Sequence, residues 1–146
     1  MSEVEIAKRA FDGIESSDFE GVKALLANNF EFSGPVPEPL DANRWLGMQK
    51  KMMAAFPDRA FNVEDLHLHD DEVHCSVQVT GTHTEALDLS GLGIPLVPAT
   101  GKALSLARED VVFTFAGDKI ASIQSSGTPG AGVVAILSQL GVEMPV

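Results

Sequence analysis

The chain contains a single cysteine among its 146 residues, and this residue, Cys75, lies in an apolar pattern. One thiol cannot form an internal disulfide, so we interpret it as a small core side chain in a reducing compartment. Basic residues are also scarce, since ten Lys and Arg stand against 21 Asp and Glu and the net charge is −11. Such a surface repels phosphate backbones and anionic lipid, which argues against nucleic acid and membranes as partners.

Long apolar runs are missing as well. No stretch approaches the roughly 20 residues that a helix needs to cross a bilayer. The first residues are acidic and lead into an amphipathic pattern, unlike the apolar centre of a signal peptide. With 45% hydrophobic residues, residues 1–146 suffice for one domain with one packed core. These features predict a soluble, cytoplasmic, single-domain protein.

Apolar and polar residues alternate between positions 72 and 85, as in a strand with one buried face. Continuing the alternation places His83 on the apolar face at the far end of this strand. A histidine there can accept or donate a proton near neutrality, because its reference pKa is about 6.5. The residues predicted to form the apolar face are Val73, Cys75, Val77 and Val79.

Helix-capping signals precede three amphipathic segments. Ser2 with Glu5 and Ser17 with Glu20 form two capping boxes, and Asp41 can cap a third helix. The third helix carries an apolar face that is either core filling or one wall of a ligand pocket, where methionine adapts to the shape of the ligand. This wall would consist of Trp45, Met48, Met52 and Phe56, and the candidates for the facing wall are Val77, Val79, Val112 and Phe113.

A two-residue turn at Asp70 and Asp71 predicts a hairpin in which position 67 faces position 74. The imidazoles of His67, His69 and His74 then share the outer face of the sheet. Three imidazoles can bind Zn²⁺, but no carboxylate or thiolate is well placed to complete a tetrahedron. We therefore predict no metal and no organic cofactor.

The connection from 85 to 100 is long and apolar, and such connections are usually functional or ordered by packing. We expect it to cover either a pocket mouth or a neighbouring subunit. A long strand, 102–115, follows. Near residues 108–111 its apolar residues switch from one face of the strand to the other. This change predicts a bulge and leaves open which of Glu109 and Asp110 points inward.

Helices followed by long antiparallel strands predict an α+β fold with helices on one face of a curved sheet. Five motifs then occur in order along nearly the whole chain, and together they resemble the SnoaL-like polyketide cyclase family of the nuclear-transport-factor-2-like superfamily. The motifs are FPD at 56–58, GTHT at 81–84, ATGK at 99–102, GDKI at 117–120 and LSQLGV at 137–142.

The resemblance implies a cystatin-like α+β cone, in which a curved antiparallel sheet wraps around the N-terminal helices and encloses a deep apolar cavity. It also implies a homodimer packed through the outer sheet face, and ring closure by an aldol reaction without metal or cofactor. Cyclases of the family use an acidic residue near the last strand as acid and base. Residues 121–126 of this chain read ASIQSS and contain no carboxylate.

Two neighbouring groups offer further comparisons. The segment 108–110, Arg-Glu-Asp, is similar to the arginine–aspartate pair of limonene-epoxide-hydrolase-like relatives. Ketosteroid isomerases of the superfamily use a tyrosine as the donor to the oxyanion, and this chain has no tyrosine. That mechanism is therefore not available intact.

Two classes of function remain open. The first is a cofactor-free cyclase, isomerase or hydratase that acts on an apolar, carbonyl-bearing molecule, and the second is a non-catalytic protein that binds such a molecule. The candidate acid–base residues are His83, Asp110 and Asp58. The candidate ligand-binding residues are Trp45, Met52, Phe56, Arg108 and Gln124.

Overall fold

A computed structural model of the protein describes residues 2–34, 39–89, 96–126 and 133–141. The helices are α1 (Glu3–Glu15), α2 (Phe19–Lys23), α3 (Ala42–Ala55) and α4 (Val133–Gln139). The strands are β1 (Leu26–Ser33), β2 (Glu64–His69), β3 (Glu72–Val77), β4 (Thr80–Thr82), β5 (Ala103–Ser105), β6 (Glu109–Ala116) and β7 (Lys119–Ser125). Among the described residues, no helix is long and apolar enough to span a membrane.

A curved five-stranded sheet in the order β1-β7-β6-β3-β2 forms the frame of the molecule. The predicted α+β architecture is confirmed, with one difference in the sheet. β1 runs parallel to β7, with Phe32 opposite Ile123, so the sheet is mixed and not wholly antiparallel. A parallel pair cannot be joined by a short hairpin, and here the chain between β1 and β7 contains all the other strands.

Side-chain caps start the helices close to the predicted positions. The Ser2 hydroxyl accepts from the Glu5 amide at 3.2 Å, and the Asp41 carboxylate accepts from the Arg44 amide at 2.8 Å. The second cap lies one residue later than predicted, because Asp18 accepts from the Gly21 amide at 3.1 Å. Serine and aspartate side chains can both accept from the free amides at a helix start. The sequence pattern therefore could not show which of Ser17 and Asp18 is the cap.

The β2–β3 hairpin has the predicted register. His67 lies opposite His74 and Leu68 opposite Val73, and the turn is formed by Asp70 and Asp71. Leu68 pairs with the buried Val73, yet Leu68 itself is 50% exposed. β2 is the edge strand of the sheet, and an edge strand has a neighbour on one side only, which leaves its side chains more open to solvent.

The predicted strands at 72–85 and 102–115 are each interrupted. β3 ends at Val77, and the chain resumes as β4, which pairs with β5 in a separate two-stranded sheet. On the other side, residues 106–108 separate β5 from β6. Pairing of β6 with β3 is regular from Glu109 to Phe113, and the register shift lies at Thr114 and Phe115. The predicted bulge at 108–111 is therefore wrong.

The apolar connection after β4 is partly folded into the core. Leu87 and Val97 exchange backbone hydrogen bonds at 2.8 and 3.0 Å, and Leu87, Leu89 and Val97 are buried. Leu96 is 60% exposed. The remaining apolar residues of this connection, Leu92 and Ile94, lie outside the described residues, as do most of the loop predicted at 34–39 and the break predicted at 128–132.

Candidate functional site

An apolar cavity of about 120 Å³ lies between the helices and the concave face of the sheet. Its helical wall includes Trp45, Met48 and Met52 of α3, as predicted, and its sheet wall includes Val77 of β3 and Phe113 of β6. The size limits the occupant. A dry cavity of roughly 150 Å³ lined by aliphatic and aromatic side chains holds one benzene ring, so the described cavity suits a single ring.

The indole of Trp45 carries one of the few polar groups in this cavity. Its ring packs 5.2 Å from Phe30 and 6.1 Å from Phe32, measured between ring centroids. Nε1 is buried and has no hydrogen-bond partner within the described part of the chain. An indole N–H is a donor only, so this group is suited to a carbonyl or anionic oxygen of a ligand.

Glu109 is the carboxylic acid that lines the cavity. Burial raises the pKa of its carboxyl above the ordinary value of 4.5, Asp110 adds to this, and the nearby Ser125 hydroxyl opposes it. Neither Glu109 Oε2 nor Ser125 Oγ has a hydrogen-bond partner of normal geometry among the described residues. A carboxylate with a raised pKa is a stronger base than an ordinary one, which suits it to accept a proton from a ligand.

A buried cation also lines the cavity. Arg59, in the connection between α3 and β2, is 9% exposed, and its Nη1 donates to Gln49 Oε1 of α3. The guanidinium carbon lies 4.7 Å from the ring centroid of Phe61. Burial lowers the pKa of Arg59 to about 10, against the opposing effect of Glu15, so the side chain stays charged at neutral pH.

Asp110 and Gln124, predicted in the cavity, lie on the opposite face of the sheet. Glu109 and Val111 line the cavity, and strand side chains alternate between faces, so Asp110 points outward, where it is exposed. The same alternation in β7 turns Ser125 inward and leaves Gln124 exposed. Both predicted cavity positions are therefore wrong.

Arg108 is likewise outside the cavity. Its Nη1 donates to the Asn62 carbonyl at 3.1 Å and to Ser76 Oγ at 3.0 Å, and its Nη2 lies 3.6 Å from Glu64 Oε1. These contacts connect β2, β3 and the start of β6. The structure gives Arg108 a role in packing instead of the predicted contact with a ligand.

His83 is fully buried, as the apolar pattern suggested, but it does not line the cavity. Its ring stacks on Phe56 with 5.2 Å between centroids, and its Nδ1 accepts from the Thr100 amide at 3.2 Å. Burial lowers the pKa of His83, which favours the neutral ring. Phe56, predicted as a cavity wall, is itself fully buried and supports His83 instead.

The Asp58 side chain connects the end of α3 to β4 through hydrogen bonds. Its carboxylate accepts from the Thr82 amide at 2.7 Å and from the Thr82 hydroxyl at 2.9 Å. These hydrogen bonds lower the pKa of the Asp58 carboxyl. The geometry is that of a structural contact, and Asp58 does not line the cavity.

We expect the free energy of unfolding of Asp58→Asn to change less with pH in the acidic range than that of wild type. Ligand binding in the cavity should be unchanged. A carboxyl whose folded pKa is lowered contributes stability above its unfolded pKa, and this stability is lost as pH falls through the folded value. Urea unfolding of wild type and variant between pH 3 and 6 measures the difference. Asp118→Asn, on the exposed β6–β7 turn, is the control, and equal pH profiles for the two variants would contradict the assignment.

A profile of the SnoaL-like polyketide cyclase family matches residues 5–126, which is most of the chain. The chain belongs to the SnoaL-like polyketide cyclase family. This agrees with the resemblance found in the motifs. A search of curated protein sequences found no match.

Solved structures repeat this fold at low sequence identity. A candidate SnoaL-like polyketide cyclase from Jannaschia sp. CCS1 is 16% identical with a TM-score of 0.75, covering 97% of this chain and 92% of its own. IdmH, a candidate polyketide cyclase from Streptomyces antibioticus, is 22% identical with a TM-score of 0.71, covering 97% and 100%. A protein of ketosteroid isomerase-like fold from Catenulispora acidiphila, solved with trimethylamine, is 12% identical with a TM-score of 0.68, covering 95% and 94%. At these identities the likeness establishes the fold alone.

In this SnoaL-like chain the sequence pattern leaves Glu109 undecided and gives no sign that Arg59 or Gln49 lines the cavity. The alternation Glu109, Val111, Phe113 was available as a signal, but the opposite phase of Leu104 and Leu106 obscured it. Arg59 follows a Pro-Asp turn, where arginine is ordinarily solvated. No local pattern marks it as buried.

The three histidines of the hairpin lie on the outer face, as predicted. The rings of His67 and His74 are stacked with 5.9 Å between centroids, and His69 meets His74 edge-on at 5.4 Å. His74 Nε2 lies 3.3 Å from Glu72 Oε1. No group of three or more potential ligands within the described ranges is arranged to hold a metal ion.

Proposed function

We propose that the protein binds a small, single-ring carbonyl compound in the cavity and transfers a proton on it through Glu109. The single observation that carries the proposal is the position of Glu109: a carboxyl in an apolar cavity, with a raised pKa and an oxygen, Oε2, that has no hydrogen-bond partner of normal geometry among the described residues. Desolvation brings a carboxyl toward the pKa of an effective general base at neutral pH.

The chemistry follows from the groups that line the cavity. Glu109 takes a proton from the carbon next to the carbonyl, and the electrons of that C–H bond form the carbon–carbon double bond of an enolate. The charge that develops on the oxygen needs a preorganised donor, and Trp45 Nε1 is a buried donor without a partner in the described chain. Glu109 then returns the proton to carbon. Alternatively, the enolate carbon attacks a second carbonyl of the ligand and closes a ring, the π bond of that carbonyl breaks, and the resulting alkoxide takes the proton from Glu109.

The position of Glu109 also accounts for the missing acid of the last strand. Val111 of β6 lies opposite Ser125 of β7, so Glu109 is the diagonal neighbour of Ser125 on the same face. Diagonal neighbours in an antiparallel pair are roughly 7 to 8 Å apart at Cα, within reach of a long side chain. A glutamate on β6 can therefore serve a region of the cavity that a carboxylate on β7 serves in other cyclases of the family.

Binding without catalysis is the second candidate function. The observation that favours it is the composition of β7, which contributes only Ile123 and Ser125 to the cavity. Serine cannot act as a general base by itself, because its hydroxyl must first be activated by another group. In that case Glu109 would only orient the ligand.

Exchange of ligand protons with solvent separates the two functions. Cyclohexanone is incubated with the protein in D₂O, and proton NMR follows the loss of the signals next to the carbonyl. The proposal predicts protein-dependent exchange together with a change in fluorescence of Trp45, the single tryptophan of the chain. Binding without exchange supports the second function, and the absence of both signals overturns the proposal.

We also propose that the protein is a homodimer. The family resemblance supports it, together with two large apolar side chains that are exposed, Leu68 at 50% and Leu96 at 60%. Light scattering at micromolar concentration is expected to give about twice the chain mass of 15.5 kDa. Leu68→Glu and Leu96→Glu test which surface is used, and a single-chain mass for the wild type would contradict the proposal.

A further inference from the structure

We propose that Arg59 forms an anion subsite in the cavity, so that the ligand is an acid that carries a carboxylate. The inference rests on the proposed function, because it concerns the occupant of the same cavity. Its basis is the environment of one guanidinium group. Arg59 is nine-tenths buried and lines the cavity.

The direct partners of Arg59 are uncharged, and none of the ion pairs among the described residues includes it. Nη1 donates to the neutral amide of Gln49, and the guanidinium lies over the ring of Phe61. Nε is buried and has no hydrogen-bond partner in the part of the chain that the structure describes. A buried charge is ordinarily paired, because desolvation without a partner is costly.

The nearest acidic influence is Glu15 of α1, which raises the pKa of Arg59. Its Oε2 accepts from the Phe61 amide at 3.1 Å, so this carboxylate is engaged with the backbone. No carboxylate of the described residues lies within ion-pairing distance of the guanidinium. Glu109, the carboxyl that lines the same cavity, has a raised pKa, which suits it to proton transfer.

Backbone packing fixes Arg59 in this position. Its amide donates to the Phe56 carbonyl at 2.9 Å, and the next residue, Ala60, exchanges hydrogen bonds with Thr80. Gly81 allows this approach, since a Cβ there would lie 3.2 Å from Phe56 Cβ and 3.4 Å from Arg59 Cα. The backbone of Arg59 is therefore held beside β4, and the contacts with Gln49 and Phe61 position its guanidinium.

Arginine binds a carboxylate through two parallel N–H donors, and such charge-assisted pairs are the strongest hydrogen bonds in proteins. The unpartnered Nε of Arg59 provides one donor of that fork. The chemistry that completes the site is a planar anion attached to an apolar ring. With the carbonyl chemistry proposed for Glu109, the ligand class is a cyclic or ring-forming keto acid.

Two probes of one shape test the subsite. Cyclohexanecarboxylate and cyclohexanecarboxamide have the same ring and a planar head group, and they differ in charge. Calorimetry at pH 7.5, with Trp45 fluorescence alongside, measures both dissociation constants. We expect wild type to bind the carboxylate at least about 10-fold more tightly, which corresponds to about 1.4 kcal/mol.

Arg59→Met keeps much of the side-chain volume and removes the charge. We expect this variant to lose the wild-type preference of about 10-fold for the carboxylate. It should bind the carboxamide with the dissociation constant of wild type. Binding of the carboxamide shows that the variant is folded with an intact cavity. Arg59→Lys is the second variant, and it is expected to keep part of the preference, because the ammonium retains the charge without the planar fork.

The outcomes separate this inference from the proposed function. Equal binding of both probes by wild type overturns the anion subsite and leaves the carbonyl-binding cavity in place. A carboxylate preference that survives in Arg59→Met also overturns it. If wild type binds neither probe, the proposed function and the subsite both fail. Glu109→Gln is expected to keep the preference, so its loss there would assign selectivity to Glu109 instead.

Discussion

Replacing Glu109 with glutamine is expected to slow proton exchange on bound cyclohexanone by about 10²- to 10⁴-fold, the usual contribution of a general base. The amide has nearly the same shape and can still form hydrogen bonds, but it cannot accept the proton. Binding should therefore persist, as measured by Trp45 fluorescence, while exchange measured by NMR is lost. In wild type the exchange rate is expected to rise with pH through the pKa of Glu109, above its ordinary value of 4.5.

The same substitution is expected to stabilise the fold at neutral pH. Burial raises the folded-state pKa of Glu109, so the folded protein binds this proton more tightly than the unfolded chain does. Stability then falls as pH rises from the unfolded pKa through the folded one. Glutamine does not titrate, so the free energy of unfolding of the variant should rise relative to that of wild type across this pH window. The difference should persist at higher pH.

Asp110→Asn is the matched control, since this neighbour points to the other face of the sheet and is exposed. We expect its exchange rate to stay much closer to that of wild type than the rate of Glu109→Gln, because Asp110 does not line the cavity and only adds to the raised pKa of Glu109. Loss of exchange in Asp110→Asn together with full activity in Glu109→Gln would show that the wrong acid was assigned. A Glu109→Gln variant less stable than wild type at pH 7 would contradict the burial argument.

Phe113→Ala is expected to cost about 3 to 5 kcal/mol of unfolding free energy, as for other buried phenylalanines. Phe113 is 1% exposed, and its ring meets Phe11 of α1 edge-on at 5.4 Å. A domain of this kind has roughly 5 to 15 kcal/mol of stability in total, so one substitution removes a large share. Urea unfolding followed by circular dichroism measures the loss.

Phe115→Ala is the control for this prediction, because it makes the same change on the same strand. Phe115 lies beyond the register shift at Thr114 and is only partly buried. The loss there should be clearly smaller, since less apolar surface leaves water on folding. Equal losses at the two positions would mean that the contact between β6 and α1 does not hold the sheet against the helices.

Local patterns were sufficient for much of the fold. The β2–β3 hairpin was predictable to the residue, because a two-residue turn fixes which positions face each other. Helix starts at Ser2 and Asp41 were predictable because their side chains satisfy amides three residues away. The apolar face of the third helix was predictable from its spacing, and Trp45 and Met52 of this face line the cavity.

The candidate site depended on where strands break, and a break is decided by pairing with distant chain. Alternation assigns side chains to faces only while a strand continues, and a shift of one residue reverses every assignment. The interruption at 106–108 means that the buried residues Leu104 and Val111 do not belong to one continuous alternation of side chains. The change of apolar pattern there left Glu109 and Asp110 undecided, whereas the register of β6 against β3 turns Glu109 inward.

Sequence alone determined the class of the molecule: an acidic α+β domain with the motifs of the SnoaL-like family. Tertiary structure alone decided which polar groups enter that cavity. His83 is buried as the pattern required, yet it stacks on Phe56 away from the cavity. Arg59 enters because Ala60 pairs with Thr80, 20 residues later in the chain. Burial of a polar side chain depends on such long-range contacts, which the spacing of neighbouring residues does not encode.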